Sequence, residues 1–189
     1  MAGTSDSMGG DTTIAGGDAG PPPIGKLLNP GFEIAGAQRT DVPDWTSSPP
    51  NSDAAFIDHQ TQRSGSGRLG HWLMSGEYVV STFQTVSPLP DGVYTFKIWI
   101  DRSSGLTEEY IFAKEYAKGQ PAAQIKVDTS TAVEGVYTQF VIPNIPVTSG
   151  RCTVGIYTHG PKDMAINWAN IDDAEFELAP IGAAGASGL

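Results

Sequence analysis

Asp91-Gly92-Val93-Tyr94-Thr95-Phe96-Lys97-Ile98-Trp99-Ile100-Asp101 is the stretch that decides how this chain folds. Tyr94, Phe96, Ile98 and Ile100 alternate with Thr95, Lys97, Trp99 and Asp101. Side chains on a strand point to opposite faces with period two, so this is a strand with one face on a core. After the loop Arg102-Ser103-Ser104-Gly105 comes a second run, Tyr110-Ile111-Phe112-Ala113-Lys114-Glu115-Tyr116. Its alternation turns Ile111 and Ala113 inward and puts Tyr110, Phe112, Lys114 and Tyr116 on the opposite face. An outward Trp99 beside a face with three more aromatics is expected to form the working surface.

The rest of the chain repeats this grammar. With these two, taken as 93–101 and 110–116, strands are predicted at 78–86, 123–127, 137–142, 152–157 and 165–178. Leu89-Pro90-Asp91-Gly92, Ser149-Gly150 and Gly160-Pro161 mark turns between them. No sustained helical period appears. Many short strands spaced by Gly and Pro predict an all-β sandwich of the jelly-roll type. Residues 1–25, mostly Gly, Ser, Thr, Asp and Pro, read as a flexible linker, 26–178 as the jelly roll and 179–189 as a flexible tail.

Composition narrows the function. The 189 residues carry a formal net charge of -10 and no Lys/Arg cluster, which disfavours nucleic acid. No apolar run is long enough to span a bilayer, and the N-terminus has no basic segment followed by an apolar stretch. That leaves an intracellular chain or a module of a longer secreted protein. Cys152 is the single cysteine, so there is no intrachain disulfide. Its place in an alternating run with Val154 and Ile156 predicts a buried, inert thiol.

The order of motifs resembles a carbohydrate-binding module with the galactose-binding-like jelly-roll fold, closest to family 61. Asn29-Pro30-Gly31-Phe32-Glu33 is followed by Trp45, His71-Trp72, Ser81-Thr82-Phe83-Gln84-Thr85-Val86 and Leu89-Pro90-Asp91-Gly92. Tyr110-Ile111-Phe112-Ala113-Lys114, Asn167-Trp168 and Ile171-Asp172-Asp173 complete the series. The opening and closing motifs identify the superfamily, whereas His-Trp, Tyr-x-x-Ala-Lys and Asn-Trp are more specific. Ala117-Lys118-Gly119 and the segment from Gly160 to Met164 depart from the family pattern. The resemblance implies a non-catalytic module that binds β-1,4-galactan or a related plant polysaccharide and targets an attached glycoside hydrolase to it. It also implies an extracellular setting. The partners would be the polysaccharide and that catalytic domain, with no nucleic acid, no membrane and a monomeric state.

Sugar rings present an apolar C–H face and a fringe of hydroxyls, so their sites combine flat aromatics with polar side chains. Trp72, Trp99, Tyr110, Tyr116 and Trp168 are candidate platforms, and His71, Lys114 and Asn167 candidate hydrogen-bonding groups. Against this stands the plainer reading that some of these residues are core or solvated surface; Trp45 is read as core. Glu33 and Asp172, on the first and last strands, are the residues through which the resemblance implies a structural Ca²⁺ away from the sugar. The alternative is that both are surface charges or caps. Two other functions compete: a cell-surface adhesion or structural β-sandwich that contacts protein, and a small jelly-roll lyase or hydrolase using Lys114, Tyr116 and His71. Glu108 and Glu109 adjoin and point to opposite faces, and no nucleophile, metalloprotease or phosphate-loop motif occurs.

Overall fold

Tyr94, Phe96, Ile98 and Ile100 are at most 1% exposed, so the strand read first from the sequence does face the core. The computed structural model describes residues 24–74, 76–163 and 166–180. The linker and tail expected at 1–25 and 179–189 lie almost wholly outside these residues. Ten strands form among the described residues: β1 Thr46–Ser47, β2 Ala55–Asp58, β3 Arg68–His71, β4 Tyr78–Val86, β5 Gly92–Arg102, β6 Glu108–Lys114, β7 Ala123–Lys126, β8 Thr138–Val147, β9 Cys152–Gly160 and β10 Ala169–Leu178. A single 3-10 turn, Ser52–Ala54, precedes β2. The strands make two antiparallel five-stranded sheets, β1-β4-β9-β6-β7 and β2-β3-β10-β5-β8, which is a β-sandwich jelly roll.

One consequence overturns an expectation. β5 belongs to the second sheet and β6 to the first, so residues 103–107 carry the chain from one sheet to the other. The outward face of β5, with Trp99, and that of β6, with Tyr110, Phe112 and Lys114, therefore lie on opposite sides of the sandwich. They do not form one surface. Tyr116 is displaced for a local reason: Glu115 takes a φ of 60°, which breaks the alternation just past the end of β6. Tyr116 thereby turns inward to 7% exposure and donates its hydroxyl to the Pro121 carbonyl at 2.8 Å.

The core is mainly aliphatic and aromatic. Trp45 packs on Phe32 with ring centroids 5.0 Å apart and donates its indole N–H to the Asn29 carbonyl, so it is a core residue. Cys152 is buried too, and burial pushes its thiol up to about 12. At one end of the interior the packing becomes polar. His71 on β3 is fully buried, with Nδ1 2.8 Å from the Thr158 hydroxyl and Nε2 2.9 Å from the Thr82 hydroxyl. Arg102 on β5 reaches Glu109 on β6 at 2.9 Å, and both are buried. Burial drives the Glu109 carboxyl up to about 8, against the opposing pull of Arg102 and the Thr158 hydroxyl.

Burial lowers the His71 imidazole to about 3, so the ring is neutral in the folded chain at ordinary pH. An unfolded histidine titrates near 6.5. The stability that the neutral ring contributes is therefore complete above about pH 6.5 and lost as pH falls from there towards 3. Compared with His71→Gln, which does not titrate, the wild type should lose roughly 2 kcal/mol more between pH 7 and pH 5. Urea denaturation of both proteins at the two pH values measures this. Equal losses would contradict a neutral buried ring.

Candidate functional site

The sequence places a tryptophan immediately after His71 and another immediately before Ala169, and the sheet brings the two together. His71 pairs with Ala169 across β3 and β10. Trp72 and Trp168 each stand one residue beyond that pair, and both line one cavity on the outer face of the second sheet. This cavity has a volume of about 470 Å³, within the usual range for a small-ligand site. Its polar lining comes from Arg39, Asp58, Arg68, Asp101 and Asn170, and Phe56 adds a third aromatic.

Each lining group has a fixed orientation. The Phe56 ring lies across Gly70, where a Cβ would come within 2.6 Å of it, so the absence of a side chain at 70 makes room for the ring. The Arg39 guanidinium sits 3.7 Å above the same ring centroid. Arg68, 7% exposed, pairs with Asp58 at 3.1 Å and donates its Nε–H to the Gln60 carbonyl. Asp101 accepts the Gly135 N–H at 2.8 Å and the Asn170 amide at 3.3 Å.

His71 and Asn167 occupy different places from those the sequence suggested. His71 borders the cavity but is fully buried, and Asn167 is fully buried as well. The His71 ring points inward, where both nitrogens are engaged by threonines. Asn167 donates its amide to the carbonyls of Leu73 and Pro161, at 3.2 and 3.0 Å. Tyr78, itself buried, sets its hydroxyl 3.0 Å from the His71 carbonyl and 2.6 Å from the Asn167 carbonyl. Ser103 exchanges hydrogen bonds with the backbone of Trp168, and the Trp72 N–H donates to the Ala54 carbonyl. In His-Trp and Asn-Trp alike, the polar side chain is bonded within the fold while the tryptophan lines the cavity.

The remaining candidates divide between two faces. Trp99 shares the outer face of the second sheet but lines a separate cavity, and the Arg63 guanidinium covers its ring at 3.8 Å. Tyr110 and Lys114 stand on the outer face of the first sheet. There Tyr110 stacks on Tyr157 at 4.6 Å, and the Lys114 amine lies 5.2 and 5.3 Å from the rings of Phe83 and Phe112. Lining residues that sequence reasoning missed include Arg39, Phe56, Asp58, Arg68 and Asn170. Arg39 lies in an irregular segment that carries no periodic signal. Asp101 was read as outward, and its place in the cavity depends on cross-strand neighbours that the sequence does not reveal.

Glu33 and Asp172, the residues expected to hold calcium, both accept hydrogen bonds from the loop between β2 and β3. Glu33 Oε2 accepts the backbone N–H groups of Ser66 and Gly67 and the Ser66 hydroxyl, at 2.6, 3.2 and 2.9 Å. Asp172 Oδ2 accepts the N–H groups of Arg63 and Ser64 at 2.8 and 3.2 Å. Burial raises the Asp172 carboxyl to about 6. The neighbouring Asp173 is bonded to the Arg63 guanidinium and the Ser64 hydroxyl. Calcium takes about six to eight oxygen ligands. Here N–H donors hold the carboxylates and an arginine supplies the positive charge. In this arrangement the residues do not fit calcium; they anchor the loop between β2 and β3.

No family model and no curated protein matches this chain. Solved structures do. TmCBM61, determined in complex with β-1,4-galactotriose, superposes with a TM-score of 0.67 at 23% identity over 82% of this chain and 99% of its own. The CBM22-1 xylan-binding domain from Paenibacillus barcinonensis Xyn10C gives 0.53 at 10% identity, over 82% and 95%. The chain has the fold of carbohydrate-binding modules of families 61 and 22. A Stig cyclase from Fischerella, in complex with an indole compound, gives 0.54 at 13% identity over 82% and 98%. The fold alone therefore does not choose between binding and catalysis, and the site must.

Because N–H donors and Arg63 already satisfy these carboxylates, removing divalent ions with EDTA should move the melting temperature by less than about 1 °C, where 1 kcal/mol corresponds to roughly 2–4 °C in a chain of this size. Differential scanning fluorimetry with EDTA and with added calcium checks it. A clear rise on adding calcium would show that the loop rearranges around the ion.

Proposed function

We propose that this chain is a non-catalytic module that binds a plant polysaccharide in the cavity between Trp72 and Trp168. That cavity carries the reading. Two tryptophans offer apolar faces to sugar C–H groups, while Arg39, Asp58, Arg68, Asp101 and Asn170 offer donors and acceptors to hydroxyls. Arg68–Asp58 and Asn170–Asp101 are ordered before any ligand arrives, which lowers the entropic cost of binding. β-1,4-Galactan is the first polymer to try, since a galactotriose-bound module shares the fold over most of both chains.

The placement of the carboxylates supports binding without hydrolysis. Glycosidases place two of them about 5–10 Å apart across the bond to be cut. Asp58 and Asp101 stand on β2 and β5, three inter-strand steps apart, which is roughly 14 Å at the backbone. Each is also engaged with neighbouring donors. Secretion and attachment to a hydrolase belong to the same proposal, since a tethered binding module raises the effective concentration of enzyme at the polymer.

Affinity electrophoresis in native gels containing β-1,4-galactan, arabinan, xylan or no polymer tests the reading. Retardation by at least one polymer is expected. Trp72→Ala and Trp168→Ala should each weaken it by about 2 kcal/mol or more, roughly 30-fold, as for a buried aromatic anchor. Tyr110→Ala and Lys114→Ala, on the far side of the sandwich, should leave retardation unchanged. Failure of every polymer to retard the folded protein would overturn the assignment.

A further inference from the structure

The outer face of the second sheet holds two cavities where one continuous groove could have run. The first is the Trp72–Trp168 cavity. The second, of about 420 Å³, is lined by Arg63, Ser64, Trp99, Gln139 and Asp173. They are close neighbours: Asp101 lines the first and Trp99 the second, and these are alternate outward residues of β5, roughly 7 Å apart. Tyr137 meets the β2–β3 loop where the two adjoin, for Thr61 of that loop lines the first and Arg63 the second. It stands just before β8, on the far edge of the sheet, and donates its hydroxyl to the Thr61 carbonyl in the β2–β3 loop at 2.9 Å. The loop completes the crossing: its Arg63 guanidinium lies over the Trp99 ring of β5, and its Arg63 and Ser64 N–H groups end on Asp172 of β10.

Both ends of this crossbar are fixed. At the Tyr137 end, the Gly135 N–H is bonded to Asp101. At the Thr61 end, Arg68 holds the preceding carbonyl, and Glu33 and Asp172 hold the residues that follow. Thr61 takes a φ of 56°, unfavourable for a β-branched residue, and such a conformation persists only where the surroundings over-determine it. Burial also pushes the Tyr137 phenol well above the usual tyrosine range, so it remains a donor at any ordinary pH.

We infer that the Tyr137–Thr61 crossbar makes this a chain-end site: the terminal sugar lodges in the first cavity against the crossbar, and the chain leaves past Trp72 and Trp168. The inference rests on the polysaccharide-binding reading and adds which part of the polymer is recognised. An internal segment would have to continue from the first cavity into the second, and the crossbar stands in that path.

The test counts binding sites by isothermal titration calorimetry, at equal polymer mass, on intact β-1,4-galactan and on the same galactan cut to short chains. Xylan treated the same way replaces galactan if the gels select xylan. A chain-end site predicts that sites per unit mass rise in proportion to the number of ends, with the trisaccharide bound as tightly as the polymer. Constant sites per unit mass, or a trisaccharide bound far more weakly than the polymer, would overturn the inference while leaving polysaccharide binding intact. Absence of any binding would remove both. Tyr137→Ala, checked for an unchanged melting transition, should open the path and raise the number of sites on intact polymer several-fold. Tyr137→Phe keeps the ring and loses the hydrogen bond, so it should fall between the two. A Tyr137→Ala protein that still counts only ends would show that the crossbar does not set the mode of binding.

Discussion

Two sheets of a sandwich ordinarily meet through apolar side chains, but beneath this cavity polar side chains also join them. Arg102 and Glu109 face each other from β5 and β6, and His71 reaches from β3 to hydroxyls on β4 and β9. Such a buried polar pair contributes little net stability because desolvation offsets its attraction, yet removing one partner leaves the other buried alone, at a cost of several kcal/mol. Such an arrangement tolerates few alternatives. His71, Ala169 and Arg102 occupy one register row of β3, β10 and β5, and the cavity floor at Gly70, Asn170 and Asp101 is the next row out. The polar interior fixes the relative placement of the strands that carry the binding face.

This arrangement explains which parts of the site the sequence could reveal. The alternation in β5 assigned Tyr94, Phe96, Ile98 and Ile100 to the core and Trp99 and Asp101 to the outside, because burial on one face writes itself into a period of two. The change of sheet after β5 leaves no such mark. A loop of five residues serves a hairpin or a crossing equally well, so the faces of β5 and β6 looked continuous when they are opposed. His71 and Asn167 were legible as important but not in their role. Adjacent residues on a strand face opposite ways, so a histidine beside an outward tryptophan points into the core. The same rule, applied at 71 and 72, would have assigned them correctly.

Aromatic content alone was a poor guide for a further reason. The outer face of the first sheet carries Phe83, Tyr110, Phe112 and Tyr157, against the three aromatic residues that line the cavity. Yet Tyr110 and Tyr157 stack with an interplanar angle of 13°, covering each other's faces, and Phe112 packs over Gly155 to 5% exposure. A ring whose face is already covered cannot form a platform for a sugar. Trp99 is excluded in the same way by Arg63. What distinguishes Trp72 and Trp168 is support: Ala54 and Ser103 bond their backbones, and Tyr78 and Asn167 bond the residues beside them, so the indoles face a cavity.

The loop between β2 and β3 joins these themes. Its backbone N–H groups end on Glu33 and Asp172, residues at opposite ends of the chain, and its Thr61 receives the Tyr137 crossbar. The carboxylates touch no part of the cavity, yet they hold the loop that forms one of its walls. Asp172 can do this because a bulge follows it: the register between β10 and β5 slips between Asp172 and Glu175, with Asp173 at a φ of 46°. The bulge turns Asp173 towards Arg63 while Asp172 stays beneath the loop. One irregular residue in the last strand therefore shapes a binding wall built from a segment more than a hundred residues earlier.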